Sequence, residues 1–408
     1  MKKGSASANF ALRKRDGRRG WLPKLPHAAR ISVGWLGSSI HIDRLSFQNP
    51  DCVMAEFSMT YDTRLSWEEN ALRGPCFSEP VPTIPATPMK SFLGLPVRSC
   101  IGIAAGLLPN SRWVLPYAGR GWDLLTYKTV RGKERPSYPP PNWVFVDEDP
   151  AHSEGPVWVR EHFPSNAVEA SASVCFGMPS ASPAEWRPDV AVARRGLLPG
   201  QVLIVSVVAS PVEGDSVEAV AEDFSRCASW AKEAGAQVVE ANLSCPNVCS
   251  AEGSLYQDSA ASRLVSKRIR SVIGDTPLLL KIGAFASEER MAEFVRAVGG
   301  LASGITLVNC LSRPVLHRDG NPVFGERFRV AGVLGRAIHR PSLELVRSAV
   351  DRVEREKLGL AIVAVGGASC STDFEDFFNA GAAAVLCGSS PAYLPHLAAE
   401  LKHRHPEW

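Results

Sequence analysis

What this 408-residue chain lacks narrows the field first. No apolar run is long enough to cross the hydrocarbon core of a bilayer, about 30 Å thick, so no membrane span is expected. The first residues hold no apolar stretch like that of a signal peptide, and a cytoplasmic enzyme is the expectation. No Cys-x-x-Cys pair occurs among the ten cysteines, which argues against an intrinsic iron–sulfur centre. Ten cysteines spread over this length do not make a disulfide scaffold, and reduced thiols are expected. A net charge of +3 is too small to argue for nucleic acid as a partner. The Gly-rich segment Gly102-Ile103-Ala104-Ala105-Gly106 does not have dinucleotide-fingerprint spacing. No nicotinamide site is expected from it.

What is present is an ordinary globular composition, 45% hydrophobic and 21% charged. The length suits one large barrel with appendages, or two domains. Residues 1–30 are basic and poor in pattern, and read as a mobile leader. Residues 31–91 read as a preamble that packs on the main domain, with short strands at 31–33 and 40–42. Within it, Ser66-Trp67-Glu68-Glu69 has the spacing of a capping box opening a short helix. Pro80, Pro82, Pro85 and Pro88 mark an extended connection. From residue 92 to 408 the chain alternates. Apolar runs at 100–105, 122–128, 202–208, 237–243, 277–282, 304–309, 361–366 and 383–387 read as buried strands. Helical patterns lie between them, at 216–235, 259–274, 287–299, 341–358 and 371–381, with another after Pro391. Eight strands alternating with helices predict an α/β chain closed as a (β/α)8 TIM barrel with an N-terminal extension. Two connections, from Thr129 to about Pro183 and from Cys310 to about Arg340, are far longer than usual. Both leave the C-terminal face, where such loops build or cover a site.

The residues that carry chemistry end these strands. Val238 to Asn242 runs into Leu243-Ser244-Cys245-Pro246-Asn247. Pro246 cannot donate to a ladder, so the strand stops there and delivers two carboxamides and a thiol to the rim. An amide offers donors and an acceptor to a planar ring, and a tuned thiol can act as a base. Lys128 and Lys281 emerge from apolar strands. A lysine there is costly without a matching charge, so the pair argues for an anionic ligand. Asn309 and Cys310 follow the sixth strand. Gly366-Gly367 ends the seventh and Gly388-Ser389 the eighth, where barrels bind phosphate. Gly335 closes another Gly-rich turn. Cys175, Cys245, Cys249 and Cys310 share one face. They read as a coincidence of small residues, and no metal site is assigned.

The grouping Asn242-x-x-Cys245-Pro246-Asn247 resembles the signature of the dihydroorotate dehydrogenase family, in its soluble branch that uses a cysteine base. The resemblance spans roughly residues 92–395. It implies FMN as cofactor, met by Ala104, Ala105, Gly106, Lys128, Thr129, Asn242, Lys281, Val308, Gly335, Gly366, Gly367, Gly388 and Ser389. It implies a dihydropyrimidine-like substrate, dihydroorotate first, met by Lys128, Gly177, Met178, Asn242, Asn247, Asn309 and Cys310, with Cys245 as the catalytic base. One departure stands out. Where the family reads Asn-x-x-Gly-x-Pro, this chain reads Val174-Cys175-Phe176-Gly177-Met178-Pro179. The asparagine is replaced by Val174, which opens the alternatives of a different ring or enone substrate, or of a barrel that binds flavin without catalysis. The electron acceptor is left open among fumarate, a quinone and a partner flavoprotein. The branch suggests a homodimer.

Overall fold

A computed structural model describes residues 59–148, 155–244 and 251–408. The leader 1–30, the strands expected at 31–33 and 40–42, and Cys245, Asn247 and Cys249 lie outside the described residues.

The described chain begins on α1 (Trp67–Arg73), which opens as its sequence asks. Ser66 accepts from the Glu69 backbone N–H, and the Glu69 carboxylate accepts in return from the Ser66 backbone N–H. The proline-marked stretch after it is without regular structure up to a hairpin of β1 (Lys90–Phe92) and β2 (Leu95–Val97). Then come β3 (Ile101–Ile103), α2 (Ser111–Ala118) and β4 (Leu124–Val130). After β4 follow β5 (Trp143–Glu148), β6 (Val157–Val159), β7 (Ser171–Val174) and α3 (Pro183–Gly196). The alternation resumes with β8 (Val202–Val207), α4 (Val217–Glu233), β9 (Val238–Asn242), α5 (Ser259–Ile273), β10 (Leu278–Lys281), α6 (Glu288–Val298) and β11 (Gly304–Leu307). Then follow β12 (Leu311–Leu316), β13 (Val330–Gly335), α7 (His339–Arg355), β14 (Ala361–Val365), α8 (Ser371–Asn379) and β15 (Ala384–Cys387), with α9 (Ser390–Tyr393) and α10 (Leu397–Arg404) last.

Eight of these strands close a parallel barrel in the order β10-β11-β14-β15-β3-β4-β8-β9. All eight lie within the apolar runs expected from sequence, except that β4 extends two residues past its run to Val130. Side chains alternate between two apolar clusters, as a period of 2 requires. Val238, Leu279, Val363 and Leu386 belong to the cluster that fills the barrel. Val239, Leu280, Ile362 and Val385 belong to the larger cluster that receives the helices.

The two long connections do more than cross the rim. They contribute β5, β6, β7, β12 and β13, which form a second, smaller closed sheet in the order β12-β13-β7-β5-β6. Its pairs join distant segments, such as Gly332 with Val174 and Val315 with Val157.

The last helix is tied to the barrel by a buried ion pair. Lys402 Nζ lies 2.6 Å from Asp123 Oδ2, and Ser99 Oγ donates to the same oxygen at 2.6 Å. Burial pushes the Asp123 carboxyl up and the Lys402 ammonium down, each opposed by the charge of its partner. Six described cysteines are not disulfide-bonded. Cys76 is disulfide-bonded, which corrects the expectation that the thiols are all reduced. Among the described residues no helix is long and apolar enough to cross a membrane.

Candidate active site

One cavity opens at the C-terminal ends of the barrel strands. Its empty volume is about 1190 Å³, part of it open to solvent.

The carboxamides of the rim are held by one another and by the backbone. Asn242, at the end of β9, is 4% exposed. Its Nδ2 donates to Thr129 Oγ1 at 3.4 Å and to Met178 Sδ at 3.5 Å. Its Oδ1 accepts from the Ser244 backbone N–H at 3.2 Å and from Asn309 Nδ2 at 3.4 Å. Asn309 Nδ2 also donates to the Ser244 carbonyl, and Thr129 Oγ1 donates to Ser206 Oγ at 3.1 Å. Both amides are therefore fixed in orientation before any ligand arrives.

Lys281, ending β10, is 2% exposed and donates from Nζ to the Ala105 carbonyl at 3.3 Å. Lys128, on β4, is also buried, and its backbone N–H donates to the Leu108 carbonyl. Two ammonium groups on one water-poor rim favour an anionic ligand.

The loops after β14 and β15 make the opposite wall. Gly367 sits at φ +71°, and a Cβ there would lie 2.4 Å from the Gly335 carbonyl oxygen. The turn therefore requires glycine, because its backbone touches the backbone at the end of β13. A Cβ at Gly388 would meet nothing within 4 Å. The backbone there faces open space, a cradle a phosphate could enter. Ser389 Oγ is 3.1 Å from Tyr393 Oη, and burial pushes that phenol up, so it stays a neutral hydroxyl.

The cavity wall thus brings together Ala104, Ala105, Gly106, Lys128, Thr129, Asn242, Lys281, Gly335, Gly366, Gly367, Gly388 and Ser389. Gly177, Met178, Asn309 and Cys310 line it too. Val308 is fully buried and is not among the lining residues. Gly177 is at φ +75°, with the Tyr138 ring 2.7 Å from where a Cβ would lie. Met178, at φ +51°, follows in the same left-handed region. This backbone is costly for a non-glycine residue and aims Met178 at Asn242.

Apart from Val174, the sequence did not point to the far wall. Tyr61, Trp67, Trp143, Val174, Phe176 and Leu334 line it. Tyr61 lies 5.3 Å from the Trp143 ring and 6.1 Å from the Phe176 ring, centroid to centroid. They come from the segment before the barrel and from the small sheet. The polar rim thus faces an aromatic lid, and Val174 belongs to the lid. Neither Cys175 nor Cys310 is in a disulfide, and among the described residues no cluster of three His, Cys, Asp or Glu could hold a metal.

A closed (β/α)8 barrel with basic and amide side chains over Gly-rich loops is the build of a phosphate-holding barrel enzyme. The dihydroorotate dehydrogenase family profile matches residues 89–403, and the chain belongs to that family, whose members are oxidoreductases acting on CH–CH donors. A dihydroorotate dehydrogenase of Dictyostelium discoideum is 31% identical, the match covering 83% of this chain and 95% of the relative. The catalytic subunit of dihydroorotate dehydrogenase B (NAD(+)) from Desulforudis audaxviator is 26% identical over 76% of this chain and 88% of its own length. A crystal structure of DHODH from Eimeria tenella in complex with ferulenol superposes with a TM-score of 0.60 at 18% identity, covering 76% of this chain and 82% of that one. This last likeness concerns the fold.

Proposed function

We propose that this protein is an FMN-dependent enzyme that oxidises dihydroorotate, or a closely related dihydropyrimidine ring, in the cytoplasm. The observation that carries the reading is the meeting, in one cavity, of the Asn242–Asn309 amide pair, two buried lysines and a glycine cradle. We also propose the division into leader 1–30, preamble 31–91 and barrel 92–408.

The residues fit FMN. Gly388 leaves room for its phosphate, and the buried Lys281 would supply the fixed cation that favours negative charge near N1 of a reduced flavin. When bound, FMN supplies the hydride acceptor. The chain supplies the rest. Lys128, Asn242, Asn247 and Asn309 hold the ring and its carboxylate. Cys245 removes a proton alpha to a ring carbonyl, and the hydride leaves from the adjacent carbon. The aromatic lid keeps water from the reacting face. The acceptor that reoxidises the cofactor is drawn from fumarate, a quinone or a partner flavoprotein, and the working unit is a homodimer.

Val174 favours a second reading. It gives the lid an apolar edge where the family pattern has an amide, and that suits a ring less polar on that side. The test is Cys245→Ala in the presence of both ring types. The variant should keep its flavin band and lose at least a hundredfold in the rate of reduction by substrate. Unchanged reduction removes Cys245 from the chemistry.

A further inference from the structure

The barrel interior holds an acidic side chain that the proposed reaction does not use. Glu240 sits in the middle of β9, is 0% exposed, and neither carboxylate oxygen has a hydrogen-bond partner. Thr126 Oγ1 and Thr306 Oγ1 are likewise buried and unpartnered.

The ladder register explains why these three belong together. Thr126 pairs with Ile204, Ser206 with Glu240, Glu240 with Leu279, and Lys281 with Thr306. In an eight-stranded barrel the level shifts by about one residue per strand, and each interior layer is filled from alternate strands. Followed round, these pairs put Thr126, Glu240 and Thr306 in one layer. Lys281 lies in the layer directly above, towards the cavity. It shares the inner face with Glu240 on the neighbouring strand, two residues beyond Glu240's ladder partner.

A lone carboxylate sealed in a barrel costs several kcal/mol, and so does a lone ammonium. Asp123 and Lys402 already neutralise each other, 2.6 Å apart. On the described inner face the carboxyl in the layer next to Lys281 is that of Glu240. Lys281 makes one hydrogen bond, to Ala105, and no direct ion pair joins it to Glu240. We propose that Glu240 is the counter-charge of Lys281, a positioning residue one layer below the site. It holds the ammonium in the barrel and moderates how strongly the site favours an anionic, reduced cofactor. The proposal rests on the FMN reading for its redox consequence, and on the fold alone for the pairing.

Both parts are testable. Glu240→Gln keeps the shape and removes the charge. In flavin-loaded protein at neutral pH it should favour the reduced cofactor about tenfold, a rise in midpoint potential of about 30 mV for a two-electron couple. In a Lys281→Met background the same change should leave the potential where it was. An unchanged potential in Glu240→Gln alone overturns the proposal. A role confined to packing would leave the potential unmoved.

The second measurement needs no flavin. Denaturant unfolding of the full-length wild type, the two single variants and the double variant forms a cycle. Each single variant should raise the unfolding equilibrium constant, and the double variant should raise it at least tenfold less than the product of the two single effects. Additive effects, with the double variant destabilised by the full product of the two single effects, overturn the pairing. Failure to find flavin would refute the cofactor reading and leave this cycle to decide on its own.

Discussion

Gly388→Asp separates the fold from the cofactor. The position makes no demand for glycine from the protein side, since a Cβ there meets no atom within 4 Å. It also lacks the positive φ that makes Gly367 irreplaceable. The substitution should therefore leave the barrel standing. What it adds is a carboxylate in the space assigned to phosphate. At about 5 Å from one unit of phosphate charge, with an effective dielectric of about 20, the repulsion is about 3 kcal/mol. That weakens binding a little over a hundredfold. The assay is flavin content after purification, followed by a fluorescence titration of the stripped protein with FMN, with thermal melting as the control. Gly367→Ala is the contrasting variant, because its methyl would meet the Gly335 carbonyl and should lower stability as well as binding. If Gly388→Asp binds FMN as the wild type does, the phosphate is elsewhere and the assignment of the two loops falls.

Two further substitutions probe other parts of the account. Val174→Asn restores an amide to the lid. If dihydroorotate is the substrate, steady-state kinetics should show KM falling by about fivefold, the worth of about one hydrogen bond; a rise would favour the less polar ring. Lys402→Met strands the Asp123 carboxylate under the barrel. It should cost about 3–5 kcal/mol in denaturant unfolding, and Asp123→Leu added to it should recover most of that loss. A single variant as stable as wild type would show that the pair holds nothing.

The barrel was legible because its strands are continuous apolar runs, several of them followed by a polar residue or glycine that stands out from the run. Lys281 after Leu278-Leu279-Leu280 and Asn242 after Val238-Val239 are readable without any tertiary information. The small sheet was not legible. Its strands are as short as three residues, one contains Pro314, and two of its pairings span more than 150 positions, as between Val315 and Val157 and between Gly332 and Val174. No local pattern announces such a partner. The lid was hidden for the same reason. The capping box located α1 correctly, yet nothing in Trp67 itself says that its ring borders a cavity built by residues far along the chain. Glu240 was passed over inside an apolar run, where only the closed barrel reveals that its carboxylate is sealed in.

The central claim is that this cavity joins FMN to a dihydropyrimidine ring. It is tested most directly by an anaerobic absorbance titration of the purified protein with dihydroorotate. The account expects an oxidised flavin band that bleaches near stoichiometric addition. A band that dithionite bleaches and dihydroorotate leaves untouched would contradict the substrate, and protein without any flavin band, even after incubation with FMN, would contradict the cofactor as well.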